Sequence, residues 1–134
     1  MTRYIVAYLA TMTVFFVIDF LWLTSIAKNL YRNEIGPLLL DEFKVGYAAG
    51  FYLMFGMGVV FFAVRPALES GSVLMALGYG AMIGFLTYGT YDFTNLATLK
   101  GYTVTVAFTD LAWGTALTGV SAAIGTWITR AIMG

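Results

Sequence analysis

The chain has 134 residues, of which 60% are hydrophobic and only 10% are charged, and its formal net charge is zero. Soluble domains are about 25% charged and under half apolar, so most of this chain is expected to lie in lipid. The lack of a basic cluster argues against nucleic acid as a partner. The absence of Cys and His removes disulfides, thiol nucleophiles and the usual metal ligands and general base, so we expect no metal and no cofactor.

Four segments are long and apolar enough for membrane-spanning helices, which need about 20 mostly apolar residues. They are predicted at about 4–27, 45–64, 72–99 and 102–129, and the chain, 1–134, is interpreted as a single transmembrane domain. The first segment lacks the cleavage pattern of a signal peptide and is interpreted as a retained span. Short connections force neighbouring helices to be antiparallel, so we predict an all-α, up-down-up-down four-helix bundle.

The first connection, KNLYRNEIGPLLLDEFK at 28–44, mixes charged and apolar residues. This composition predicts an interfacial segment at the lipid headgroups between helices one and two, interrupted at Gly36-Pro37. Three arginines fall on the side of the amino terminus, and three lysines and one arginine fall on the other. The positive-inside rule therefore does not choose an orientation.

Small residues recur four positions apart in three of the segments, a pattern that lets helix backbones approach closely in lipid. The pairs are Gly46 and Gly50, Gly80 and Gly84, and Ser121 and Gly125. We expect these pairs to mark close contacts between helices.

Three carboxylates, Asp19, Asp92 and Asp110, lie inside predicted spans. A charge at a helix centre costs roughly 2.5–3.5 kcal/mol, so these groups must be neutral, hydrogen-bonded, hydrated or paired with a cation. Counting from Lys28 and Lys100, each lies about 12–15 Å inward from the same membrane face. Three carboxylates at a common depth predict a site on helices one, three and four.

Aromatic and amide side chains accompany these carboxylates. In DFLW and DLAW a Trp follows each Asp by three residues, on the same side of the helix, and YDFTN adds an amide. Carboxylates beside aromatic walls suit a cationic or amphipathic ligand. The predicted ligand-binding set is Asp19, Trp22, Tyr88, Tyr91, Asp92, Asn95, Asp110 and Trp113. The alternative is that these groups only hydrogen-bond across helices and specify the packing.

The chain resembles, over essentially its whole length, an uncharacterised bacterial membrane-protein family known as domain of unknown function 2177. The resemblance rests on the pattern from Asp19 to Trp22 and on the YDFTN segment from Tyr91 to Asn95. It implies a small multi-pass protein of the bacterial inner (cytoplasmic) membrane. It lends no established activity, and it favours a lipid as the ligand.

Three functions stay open at this point. The first is a pocket lined by carboxylates that binds or moves an amphipathic or lipid-like ligand, a cation or a proton. The second is an accessory structural subunit of a larger membrane complex. The third is a lipid-modifying enzyme that uses paired carboxylates as acid and base, which the lack of a recognisable nucleophile disfavours. The expected partners are membrane lipid, the ligand, and a second copy or a larger complex.

Overall fold

The long apolar runs fold into α-helices in the computed structural model, which describes residues 1–40 and 43–134. The helices are α1 (Thr2–Trp22), α2 (Lys28–Ile35), α3 (Val45–Val59), α4 (Arg65–Ser70), α5 (Val73–Thr98) and α6 (Val104–Met133). Among the described residues, four continuous helical stretches are long and apolar enough to cross a membrane: Thr2–Leu38, Val45–Ser70, Val73–Thr98 and Val104–Met133. The predicted all-α membrane fold is confirmed.

The first span continues past the end that the sequence predicted near residue 27. A π-helical turn at Leu23–Ala27 joins α1 to α2, and the helix ends only at the 3-10 turn Gly36–Leu38. No glycine or proline interrupts the chain before Gly36-Pro37, and Ile35 is buried in a cluster with residues at the start of α6. Much of the predicted interfacial segment is therefore an extension of the first helix. Asp41 and Glu42, near the end of that segment, lie outside the described residues.

The second span is also longer than predicted. A π-helical turn at Val60–Val64 joins α3 to α4, which ends at Ser70 rather than near residue 64. Pro66 does not stop the helix, and it lies just after the π-helical turn, in the first turn of α4.

Tight turns reverse the chain on both sides of α5. Gly71 ends α4 in the left-handed region with φ of 75°, and Gly101 adopts φ of 81° before α6. Ser72 then caps α5 by accepting a hydrogen bond from the Met75 amide at 3.1 Å. Thr103 caps α6 in the same way through the Val106 amide at 3.2 Å.

Helix α6 is the centre of the bundle and packs along both α1 and α5. A Cβ on Gly84 would lie 2.8 Å from the Thr118 Cβ, and one on Gly125 would collide with Thr11. Two of the three predicted small-residue pairs therefore lie at close helix contacts. The third does not, because Gly46 and Gly50 have nothing within 4 Å of the position of an added Cβ. The amino-terminal half of α3 is exposed there.

Candidate ligand-binding site

A cavity of about 870 Å³ lies at the end of the bundle where α1 continues into α2. Side chains from α1, α2, α3, α5 and α6, and from the connections between them, form its walls. They are Asp19, Trp22, Leu23, Tyr31, Ile35, Leu39, Ala48, Phe51, Tyr52, Leu86, Thr87, Tyr88, Thr90, Tyr91, Tyr102, Val106, Asp110 and Trp113.

The π-helical turn at Leu23–Ala27 aligns the two parts of the first span. Asp19 and Tyr31 are twelve positions apart, which in an unbroken α-helix puts them about 120° apart around the axis. A π-helical turn accommodates one extra residue, and this brings the two side chains to within about 20° of each other. Tyr31 thereby faces the same cavity as Asp19.

Asp19 is held by the aromatic wall on the opposite helix. Its side chain is 7% exposed, and Oδ1 accepts a hydrogen bond from Trp113 Nε1 at 3.1 Å. The Trp113 ring stacks on Trp22, with ring centroids 4.4 Å apart and planes 10° from parallel. The hydrogen bond and the stack together fix the two Trp rings beside the carboxyl group.

Two further carboxyl groups each accept a hydrogen bond from a tyrosine. Asp110 Oδ1 accepts from the Tyr31 hydroxyl at 2.7 Å, and Asp92 Oδ1 accepts from the Tyr102 hydroxyl at 2.7 Å. Tyr102 lies in the turn before α6, where burial and then the bond to Asp92 raise the pKa of its hydroxyl. The hydroxyl therefore keeps its proton and acts as a donor.

Asp92 and Asp110 also lie within hydrogen-bond reach of each other. Asp92 is 1% exposed, and its Oδ2 has no donor among the described residues. Two neighbouring carboxyl groups are satisfied when one proton lies between them. The pair thus needs either a proton or a donor from a bound molecule.

The structure brings most of the predicted site residues to one place. Six of the eight line the cavity: Asp19, Trp22, Tyr88, Tyr91, Asp110 and Trp113. Asp92 is buried next to the cavity through its bond to Tyr102, and Asn95 is half-buried outside the lining. The ligand-binding role of all eight stays a prediction.

A family model described as "Predicted membrane protein (DUF2177)" matches residues 4–127. The chain belongs to this family. The match confirms the resemblance seen in the sequence and identifies the chain as a membrane protein with several apolar helices. No curated protein and no solved structure gives a significant match.

Sequence reasoning missed three cavity tyrosines of this DUF2177 protein: Tyr31, Tyr52 and Tyr102. Tyr31 and Tyr102 lie near the ends of the predicted spans, where interfacial aromatic residues are common. A signal was available for Tyr102, which follows Asp92 by ten residues across a tight turn and can fold back on it. No sequence signal marks the π-helical turn that aligns Tyr31.

A metal site would need several His, Cys, Asp or Glu side chains close together within residues 1–40 and 43–134. No group of three or more His, Cys, Asp or Glu side chains is arranged there to hold a metal ion.

Proposed function

We propose that this DUF2177 protein binds an amphipathic, lipid-like molecule within the bilayer, with its polar end at the carboxyl groups and its apolar chain between the helices. The observation that carries the proposal is one cavity of about 870 Å³ that combines carboxyl groups with extensive apolar walls. Pockets for small molecules span about 300–1,000 Å³ and are mostly apolar with a few placed polar groups.

The apolar wall supports entry from the lipid. Leu23, Phe51 and Leu86 line the cavity and are also exposed on the outside of the bundle. The neighbouring amino-terminal half of α3 is exposed as well, from residue 45 to residue 51. A ligand chain at this boundary stays in contact with the apolar interior of the membrane, so no apolar surface has to cross water.

The polar end of the cavity contains carboxyl oxygens that have no described hydrogen-bond donor. Asp19 and Asp110 each use one oxygen for a hydrogen bond from a protein donor. In the part of the chain that the structure describes, no donor is bonded to the other oxygen of either group. A buried charge without partners is costly in a membrane, and a ligand that supplies donors lowers this cost.

The proposal covers retention of the ligand and its movement between the cavity and the membrane. On the family resemblance, we place the protein in a bacterial inner membrane. The subunit function keeps one specific observation in its favour, because the exposed half of α3 is a surface that a partner helix can cover. The same experiment separates the two functions.

The test is native mass spectrometry of the mildly solubilised protein with a matched pair of variants. Ala48 and its neighbour Ala49 are both exposed, but of the two only Ala48 lines the cavity. Ala48→Phe fills the cavity, and Ala49→Phe adds the same bulk on the outside. We expect a small-molecule mass on the wild type and on Ala49→Phe, and its loss from Ala48→Phe.

Two results would contradict the proposal. One is a small-molecule mass that persists in Ala48→Phe as strongly as in Ala49→Phe. The other is a wild-type protein that carries only another polypeptide, equally in both variants, and this result would favour the subunit function.

A further inference from the structure

We infer that the polar head of the ligand is a protonated amine, bound between the carboxyl groups of Asp19 and Asp110 and against the stacked rings of Trp22 and Trp113. This inference rests on the proposed function and specifies the chemical class of ligand that the cavity takes. It follows from the charge of the lining, from the balance of donors and acceptors, and from the aromatic wall.

The charge of the lining has one sign. Among the lining residues that the structure describes, the charged ones are Asp19 and Asp110, and neither Lys nor Arg is present. A phosphate or carboxylate head would bring a further negative charge next to these groups in a medium of low dielectric constant, where like charges repel strongly. A cationic head is attracted there instead.

Each carboxyl group at the site has an oxygen without a described donor. The carboxyl groups of Asp19, Asp92 and Asp110 receive one described hydrogen bond each, from Trp113, Tyr102 and Tyr31 respectively. Each group has two oxygens that accept. Tyr31 and Tyr102 have already donated their only hydroxyl protons to these groups, and no hydrogen bond from another described residue reaches the second oxygen of any of the three.

The buried oxygen of Asp92 is an independent sign of this shortage. Asp92 Oδ2 belongs to a side chain that is 1% exposed, and it has no partner among the described residues. Its neighbour Asp110 lines the cavity. An ammonium group brings three N–H donors, so an amine bound at Asp110 places donors beside the Asp92 carboxyl group.

The aromatic wall completes the fit. The Trp22–Trp113 stack lies beside Asp19, to which Trp113 donates. Trp faces attract cations more strongly than other aromatic faces do. An ammonium group between a carboxylate and these rings gains both interactions, whereas an uncharged alcohol of the same chain length gains neither in full.

The experiment measures Trp fluorescence of the protein in phosphatidylcholine nanodiscs. The chain has three Trp residues, and the Trp127→Phe background removes the one outside the cavity, which is 62% exposed. Tetradecylamine, tetradecanol and tetradecanoic acid are then titrated at equal mole fractions. We expect the amine to bind at least roughly tenfold more tightly than the alcohol, and the acid to bind weakest.

Asp110→Asn identifies the charge that matters. It keeps an acceptor for Tyr31, so we expect tetradecylamine to bind roughly tenfold more weakly and tetradecanol to bind unchanged. Asp19→Asn is the second variant, used if Asp110→Asn does not purify as a folded protein. Empty nanodiscs give the background signal to subtract, and Ala49→Phe is the control that should leave the relative order of the three probes unchanged.

The outcomes distinguish this inference from the proposed function. Equal binding of the three probes, with no effect of either Asn variant, overturns the amine and leaves an amphipathic ligand standing. Tightest binding of tetradecanoic acid also overturns it. Binding of none of the probes, together with no small-molecule mass on the purified protein, overturns both.

Discussion

The two ends of this bundle use the same helices but pack them differently. Towards the termini, glycines bring backbones together, with Gly84 against Thr118 and Gly125 against Thr11. Towards the connection between the first two spans, bulky aromatic side chains and carboxyl groups line a cavity of about 870 Å³.

The difference indicates that the size of the residues at a helix–helix contact determines how closely two helices approach in lipid. Lipid chains are as apolar as the side chains, so hydrophobicity does not draw one helix to another, and small residues allow the closer approach. Gly114 marks the change from one region to the other, because the Tyr88 ring lies directly over its Cα. Beyond this level Tyr88, Tyr91 and Asp110 line the cavity.

The largest effect is expected from a methyl group in the closed region. In Gly84→Ala the new Cβ would lie 2.8 Å from the Thr118 Cβ and still closer to the Gly114 carbonyl oxygen, which belongs to the backbone and cannot rotate away. We expect the free energy of unfolding in mixed micelles to fall by about 1–3 kcal/mol, the usual cost of overpacking.

Gly46→Ala is the matched control for this comparison. Its added methyl group meets nothing within 4 Å, so the free energy of unfolding should change by less than about 0.5 kcal/mol. If both alanine variants unfold alike, the closed region does not depend on close backbone approach.

The next effect concerns the polar edge of the open region. Tyr102→Phe removes the only described hydrogen-bond donor to Asp92. Both oxygens of this nearly inaccessible carboxyl group are then without a described donor. We expect a loss of about 1–3 kcal/mol in the free energy of unfolding. Tyr91→Phe is the control, since Tyr91 is 58% exposed and is described with no bond to a carboxyl group. A loss of equal size in both variants would show that ring contacts, rather than the hydrogen bond, stabilise this edge.

A smaller effect is expected at the aromatic wall. Trp113→Phe keeps an aromatic ring but removes the Nε1 donor to Asp19. Hydrogen bonds between membrane helices contribute about 0.6 kcal/mol on average, so we expect a loss of about 0.5–1.5 kcal/mol in the free energy of unfolding. Trp127→Phe, on the far side of the bundle, should have no effect. If Trp113→Phe and Trp127→Phe are equally stable, the hydrogen bond from Trp113 to Asp19 does not stabilise the aromatic wall.

The sequence predicted much of the closed region, where glycines bring the helix backbones together, because apolar length and small-residue spacing are local features of a sequence. Apolar length identified the four spans, and the spacing of Gly80 with Gly84 and of Ser121 with Gly125 predicted close contacts that the structure contains. The same spacing failed for Gly46 and Gly50, because a small residue permits a contact but does not supply a partner helix.

The open region was less predictable because it depends on how two parts of a helix are rotated. The depths of Asp19, Asp92 and Asp110 follow from helical rise, which is why counting along the chain brought them near one another. The rotation that turns Tyr31 towards Asp110 comes from the π-helical turn at Leu23–Ala27, and no spacing rule reveals that turn.

The smallest expected effect has the opposite sign and separates a packing role from a binding role for Asp92. In Asp92→Asn the side-chain oxygen still accepts from Tyr102, and the new amide can donate to Asp110, which lies within hydrogen-bond reach. One buried unpaired acceptor is thereby removed, so we expect the free energy of unfolding to rise by about 0.5–1 kcal/mol. Asp19→Asn is the control, because its bond from Trp113 is kept and its described surroundings offer no second carboxyl bond to gain.

A stabilised Asp92→Asn would mean that the native carboxyl group costs stability and is kept for a bound partner. A destabilised variant would mean that the carboxyl pair itself holds the helices, and the open region would then be a polar packing contact like the glycine contacts at the other end.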